Sequence, residues 1–152
     1  MDKTIIQWDE FHKDCDIVAS QLFKKQFTHI VALSRGGVIP ARIIAESLNS
    51  LPFLVLGLKL YNNESKGDVI EITQSLPDNI ELDRHDKILL IDDISDTGET
   101  LRYAHSYLFR FSGGASVTTA CPYYKPHTKL IPTAYSKVYP NDEWVVFPFE
   151  KV

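Results

Sequence analysis

The chain is short of several things, and each shortage excludes a class of protein. It has two cysteines in 152 residues, Cys15 and Cys121. They stand far apart, with no CxxC or metal spacing, so a disulfide scaffold, a redox motif and a structural zinc site find no support. Two reduced, structural thiols in a cytoplasmic protein are the expectation. No apolar run reaches the roughly 20 residues of a membrane span. The opening residues, Met-Asp-Lys-Thr-Ile-Ile, lack the apolar core of a signal peptide. Basic residues number 16 against 20 acidic ones, for a net charge of −4. That balance argues against non-specific binding to nucleic acid. There is no GxGxxG fingerprint, P-loop lysine, GxSxG elbow or HExxH pair. His12, His29, His85, His105 and His127 show no ligand spacing and read as surface or satisfied polar residues. His127 stands out slightly because it follows Lys125-Pro126.

What is present suits one soluble domain over residues 1–152, with 44% hydrophobic and 24% charged residues. Thr4 to Trp8 reads as a short strand, with Trp8 in the core or as a staple. Asp9 reads as an N-cap with Glu10 in the first turn. Phe11, Cys15, Val18, Ala19 and Leu22 recur at helical spacing to about Lys25. His29 to Leu33 is a buried strand that stops at Ser34-Arg35-Gly36-Gly37, and a helix follows over 38–49 with Pro40 in its first turn. Two glycines allow close approach to an anion, and Arg35 adds a fixed charge. A tight turn with a surface arginine is the plainer reading. Residues 52–58 form a third strand. Residues 61–86 are polar and irregular, with a hairpin arm at 69–73, and read as a lid. Residues 99–111 form a helix with Leu101, Ala104, Tyr107, Leu108 and Phe111 inward, ended by Gly113-Gly114. Strands at 115–124 and 134–139 and an aromatic tail complete the chain. Alternating strands and helices predict an α/β fold with a mainly parallel, twisted sheet whose loops gather at one edge.

The stretch from Lys87 to Leu101 organises the rest. Ile88-Leu-Leu-Ile91 suits a strand buried on both faces. It ends in Asp92 and Asp93, and a small polar turn follows, Ser95-Asp96-Thr97-Gly98. Ligands bind beyond the carboxyl ends of such strands. Paired carboxylates can hold sugar hydroxyls or a divalent cation. Backbone N–H groups at the next helix start suit a phosphate. A buried strand followed by a turn capped by Asp96 or Thr97 is the alternative.

The run Ile88-Leu-Leu-Ile-Asp-Asp-Ile-Ser-Asp-Thr-Gly-Glu-Thr100 resembles the phosphoribosyl-diphosphate (PRPP) signature of type I phosphoribosyltransferases. Val31-Ala-Leu-Ser-Arg-Gly-Gly-Val-Ile-Pro40, Tyr124-Lys125-Pro126 and Trp144-Val145 extend the resemblance to the bacterial 6-oxopurine branch, closest to its xanthine–guanine members, over nearly the whole chain. The resemblance implies a purine-salvage transferase that moves 5-phosphoribosyl from PRPP to guanine, xanthine or hypoxanthine. It implies a Mg²⁺ cofactor, a flexible lid at about 61–86, a small hood at about 140–152 and a homodimer or homotetramer. It also implies roles. Arg35 and Gly36 would hold the departing diphosphate. Asp92 and Asp93 would bind the ribose hydroxyls and the metal, Asp93 foremost. Ile94, Ser95, Asp96, Thr97, Gly98, Glu99 and Thr100 would form the PRPP loop, and Asp96 would act as general base. Lys125 would read the 6-oxo group, and Trp144 and Val145 would hold the purine. Lys66 is the nearest match to the family's basic lid residue. Val146 stands near the place where the xanthine–guanine members carry an acid that reads the purine 2-position; either Glu150 substitutes or xanthine is a poor substrate.

Three alternatives compete. A non-catalytic PRPP sensor on the same fold need not keep Lys125 and Trp144. A receiver-like fold would place its acidic pair after the first strand. An adenine or pyrimidine enzyme fits Lys125 poorly.

Overall fold

The computed structural model describes residues 1–151. In chain order the elements are β1 (Lys3–Ile5), α1 (Trp8–Leu22), β2 (His29–Ser34), α2 (Val38–Glu46), β3 (Phe53–Asn63), β4 (Gly67–Gln74), β5 (Lys87–Ile91), β6 (Ile94–Ser95), α3 (Glu99–Phe111), β7 (Ser116–Ala120), β8 (Tyr123–Tyr124), β9 (Lys137–Val138) and β10 (Trp144–Val146). The main sheet has the order β4-β3-β2-β5-β7. Its last four members run parallel, and β4 is antiparallel to β3. The fold is therefore α/β, with a mainly parallel sheet flanked by helices.

The central strands are apolar on both faces because both faces are covered. Ile30 and Ala32 of β2 and Leu89 and Ile91 of β5 point one way, into a core with Phe11, Val18, Ala41 and Ile44 of α1 and α2. Val31, Leu33, Ile88 and Leu90 point the other way, onto Leu101, Ala104 and Leu108 of α3. The period of two along a strand sorts neighbouring residues onto opposite faces. Cys15 and Cys121 are both buried and free. Burial pushes the Cys15 thiol up to about 12 and also raises that of Cys121, so neither is a ready nucleophile.

Several expectations change. Helix α1 starts at Trp8, and its cap is Gln7 rather than Asp9, with no side-chain cap bond. Helix α2 stops at Glu46, three residues short of Asn49. Trp8 is 53% exposed, meets Phe11 edge-on and lies tilted against Phe149. Phe111 lies outside the inner face of α3 and stacks on Tyr107. The stretch 61–86 divides in two. Its first part belongs to the long β3–β4 hairpin, which pairs from Gly57–Gln74 to Asn63–Gly67. Its second part packs against the α3 side of the core through Leu76, Ile80 and Leu82. The segment 115–124 breaks into β7 and β8, and 134–139 joins a small sheet, β6-β8-β9, beside the main one. Strand β10 pairs in parallel with β1 and closes the aromatic tail over Phe11. Among the described residues, no helix is long and apolar enough to cross a membrane.

Candidate active site

Strands β2 and β5 are neighbours, with Ala32 opposite Ile91. The loops that follow them therefore leave the sheet side by side. This is also where the connections diverge, since β2 leads outward to β3 while β5 leads toward β7. A doubly wound sheet opens its binding crevice at such a point.

Glycine sets how closely the two loops approach. A Cβ on Gly36 would collide with the Asp93 carboxylate. One on Gly37 would lie 2.5 Å from the Ile91 carbonyl oxygen and 2.9 Å from the Asp92 Cα. The Arg35 loop thus lies directly against the acidic pair. Arg35 is exposed and takes part in no ion pair among the described residues.

The acidic pair is half-buried. Its carboxylates accept backbone N–H groups, Asp93 N to Asp92 Oδ1 at 2.9 Å and Ile94 N to Asp93 Oδ1 at 2.7 Å. Burial raises the Asp92 carboxyl well above its ordinary range, and the charge of Asp93 adds to the effect. Burial likewise raises Asp93 to about 6, and the negative charge of Glu150 works in the same direction. Two carboxylates crowded out of water favour the approach of a cation or of hydroxyl donors.

Helix α3 begins at Glu99, and its N-cap is Gly98 with φ of 80°. Neither Asp96 nor Thr97 takes the cap position, although Thr97 Oγ1 lies 3.4 Å from the Glu99 N–H. Gly98 is required twice over. Its φ suits glycine, and a Cβ would lie 2.7 Å from the Lys129 nitrogen and 2.8 Å from that of Leu130. Among the described residues, no acceptor claims the backbone N–H groups of Thr97, Gly98 or Thr100. Free N–H groups at a helix start form a cradle for an anion.

Two members of the expected loop are occupied otherwise. Ser95 is buried, and its hydroxyl donates to the Leu130 carbonyl at 2.8 Å and meets Thr128 Oγ1 at 2.7 Å. Ile94 and Ser95 together form β6, paired with Tyr123 and Tyr124. The Ser95 hydroxyl therefore tethers the loop to the 128–130 segment. Glu99 pairs with Lys129, and that hydrogen bond lowers its carboxyl. Glu99 therefore contributes its backbone, while its side chain holds the neighbouring turn.

Asp96 is where the loop meets the next segment. Its Oδ2 lies 3.2 Å from Lys125 Nζ, and its Oδ1 lies 2.6 Å from His127 Nε2. Lys125 is 6% exposed. Its backbone N–H donates to the Ser95 carbonyl at 3.0 Å, and its ammonium also reaches the Asn141 carbonyl at 3.5 Å. The Asn141 side chain accepts the His127 N–H at 3.0 Å, and the Lys129 N–H donates to the Thr97 carbonyl at 2.8 Å. The turn 125–130 is thereby fastened to the 95–99 loop along its length. Sequence reading did not find Asn141, Thr128 or Lys129. It left His127 among the surface histidines, with only its place after Lys125-Pro126 as a signal.

The remaining expected residues divide. Trp144 is 53% exposed at the start of β10, and Val145 is buried opposite Thr4. The Glu150 carboxylate accepts the Phe147 N–H at 3.2 Å and bears on Asp93, so its charge acts toward the acidic pair. Lys66 sits at the tip of the β3–β4 hairpin and makes no ion pair with any site residue. A hollow of about 840 Å³ lies on the outer side of α3 against Tyr103, Phe109 and Ile70. Only Glu99 of the residues above reaches it, so the site is an open rim rather than that cavity.

Relatives point the same way. Xanthine-guanine phosphoribosyltransferase of Chromohalobacter salexigens is 31% identical over 147 residues, covering 95% of this chain and 82% of the relative. The protein of the same name from Gluconobacter oxydans is 29% identical over 151 residues, covering 95% and 83%. The crystal structure of purine phosphoribosyltransferase from Pyrococcus horikoshii Ot3 superposes with a TM-score of 0.87 at 28% identity, covering 100% of this chain and 96% of that one. The family model for the phosphoribosyl transferase domain matches residues 3–150. With the acidic pair, glycine loop and helix start in the places found above, the chain belongs to the phosphoribosyl transferase family.

Proposed function

We propose that the protein transfers the 5-phosphoribosyl group of PRPP to a ring nitrogen of a 6-oxopurine, releasing diphosphate. The observation that carries this reading is the Asp96–Lys125 pair at 3.2 Å, joined to the free N–H groups of the α3 start. A 6-oxopurine offers a carbonyl acceptor and a nearby ring N–H. A lysine beside a carboxylate supplies the matching donor and acceptor.

In this reading the N–H groups and hydroxyls of Thr97 and Thr100 hold the 5′-phosphate. Asp92 and Asp93 accept the ribose hydroxyls. Arg35 and the Gly36 backbone take the diphosphate, whose charge grows as the bond to C1′ breaks. Asp96 accepts the proton of the ring nitrogen. The electron pair of that N–H bond passes to the ring, the ring nitrogen bonds to C1′, and the former C1′–O pair leaves on diphosphate. Lys125 donates to the 6-oxo group, which selects against a 6-amino base. Trp144 stacks on the purine, with the Val145 backbone and Glu150 along the edge of the hood.

The acidic pair suits Mg²⁺. Burial raises both carboxyls, the charge of Asp93 raises Asp92 further and that of Glu150 raises Asp93, and a cation relieves that repulsion. Among the described residues no group of three or more metal-binding side chains gathers. That suits an ion held by one or two carboxylates and completed by substrate oxygens and water. When bound, Mg²⁺ would neutralise charge on the diphosphate. The β3–β4 hairpin, with Lys66 at its tip, is the segment suited to cover the site and exclude water. We assign the protein to the cytoplasm and to a homodimer or homotetramer by the same family reading.

The test is direct. The protein is incubated with PRPP, Mg²⁺ and, separately, guanine, xanthine, hypoxanthine or adenine, with Asp96→Asn beside it. Nucleotide and diphosphate from the 6-oxopurines, reduced about 100-fold or more in the variant, is the expected result. PRPP binding with no turnover on any base would overturn it in favour of a sensor.

A further inference from the structure

Asp96 is held at both oxygens by one turn of chain. Lys125 takes Oδ2 at 3.2 Å, and His127, two residues on, takes Oδ1 at 2.6 Å. A carboxylate only accepts, so the shared proton sits on His127 Nε2. The two partners differ in what else they are for. In the reading above, Lys125 turns its ammonium to the 6-oxo group of the incoming base. Its hold on Oδ2 then loosens, and that oxygen becomes free to receive the ring proton. Asp96 is 47% exposed. With Lys125 diverted and nothing else holding it, the carboxylate would be free to rotate toward water.

We infer that His127 is a positioning residue: it anchors Oδ1 of Asp96 so that Oδ2 stays aimed at the purine ring nitrogen when Lys125 leaves it for the 6-oxo group. This rests on Asp96 being the proton acceptor. Three features make the contact a built one. The His127 N–H is fixed by the Asn141 side chain at 3.0 Å, and the same Asn141 offers its carbonyl to Lys125 Nζ at 3.5 Å. The turn closes on itself, Thr128 N–H to the Lys125 carbonyl at 3.0 Å. Thr128 and Lys129 then tie it to Ser95 and Thr97. The imidazole is thereby carried on the segment that carries Lys125, and the two hands on Asp96 are set at a fixed spacing. A carboxylate misplaced by about 1 Å can lose about two orders of magnitude in rate. Partners that orient a functional group from behind are commonly worth about 10- to 100-fold.

The test compares His127→Ala, His127→Gln and Asp96→Asn with the unaltered protein in steady-state turnover of a 6-oxopurine. The imidazole is 40% exposed, so neither His127 variant removes core packing, and melting curves check this. The expected result is a fall of about 10-fold or more in kcat for His127→Ala, with KM for PRPP unchanged. His127→Gln, which keeps an N–H at nearly the place of Nε2, should recover most of the loss. Unchanged kcat in His127→Ala, with Asp96→Asn inactive, would overturn the inference and leave the proposed function standing. Equal losses in both His127 variants with a raised KM for the base would overturn it too, since they would mark a direct contact with the purine. No nucleotide from the unaltered protein would overturn the function and the inference together.

Discussion

The two halves of the candidate site are built differently. The half proposed to hold PRPP comes from two adjacent parallel strands, and main chain does most of the work. Gly36 and Gly37 press against Asp93 and Asp92, and the start of α3 presents free N–H groups. The half proposed to hold the purine comes from distant stretches held by side chains. Asp96 meets Lys125 and His127 across about 30 residues, Asn141 braces both, and Trp144 arrives on a strand paired with residues 3–5. A rigid sheet edge suits a ligand whose charged groups are always the same. A rim of side chains can change its selectivity without disturbing that edge.

The contrast can be broken most forcefully at Gly36. A methyl group there has no room beside Asp93. Gly36→Ala should lower kcat/KM for PRPP by about 100-fold through misplacement of both loops, while equilibrium dialysis of the base finds its affinity little altered. Loss of both affinities together would mean that the halves are not separable.

Trp144→Ala is the mirror experiment. Because the indole is half exposed, melting should move little, while KM for the base rises about 10-fold if stacking contributes about 1–3 kcal/mol. KM for PRPP should stay level.

Ser95→Ala tests the join between the halves. The hydroxyl is turned toward Thr128 and Leu130, and removing it should cost about 1 kcal/mol of stability, read by denaturant titration. Its effect on PRPP affinity should be smaller than that of Thr97→Ala in the loop above it.

The smallest effect concerns pH. Asp93 stands at about 6 when folded against 3.8 ordinarily, held up by burial. Between those values the folded protein keeps a proton that the unfolded chain has released. The contribution of this group to stability is therefore greatest below the lower value and is lost as pH rises through the upper one. Melting temperature should carry a shallow downward slope over that window, and millimolar Mg²⁺, by favouring the carboxylate, should flatten it there. An upward slope from this group, isolated with Asp93→Asn, would contradict the burial.

Much of this was legible beforehand because the carrying signals are local. An apolar run, two acids and a glycine-hydroxyl turn lie within fifteen consecutive residues. Burial on both faces, exit at a sheet edge and a helix start follow from their order alone. Helix α1 was equally plain, since its five spaced apolar residues are all buried. Where the reading failed, the deciding contacts were long-range. The role of Ser95 depends on Thr128 and Leu130, more than 30 residues away. Asp14 of α1, outside the apolar stripe, is buried because Tyr123, Ser136 and Lys137 satisfy its oxygens. No spacing rule reaches partners so far along the chain.

The sequence by itself determined the alternation of strands and helices, the buried strand that ends in Asp92 and Asp93, and the glycine-rich turns beside it. Each of these follows from hydrophobic period and backbone freedom within a short window. Only the tertiary structure decided which turn would close on Asp96, that Asn141 would brace it, and that Leu76, Ile80 and Leu82 would pack against the core while the far end of the β3–β4 hairpin stayed exposed. Those outcomes depend on which surfaces meet once the sheet has formed, and on where buried polar atoms can find partners.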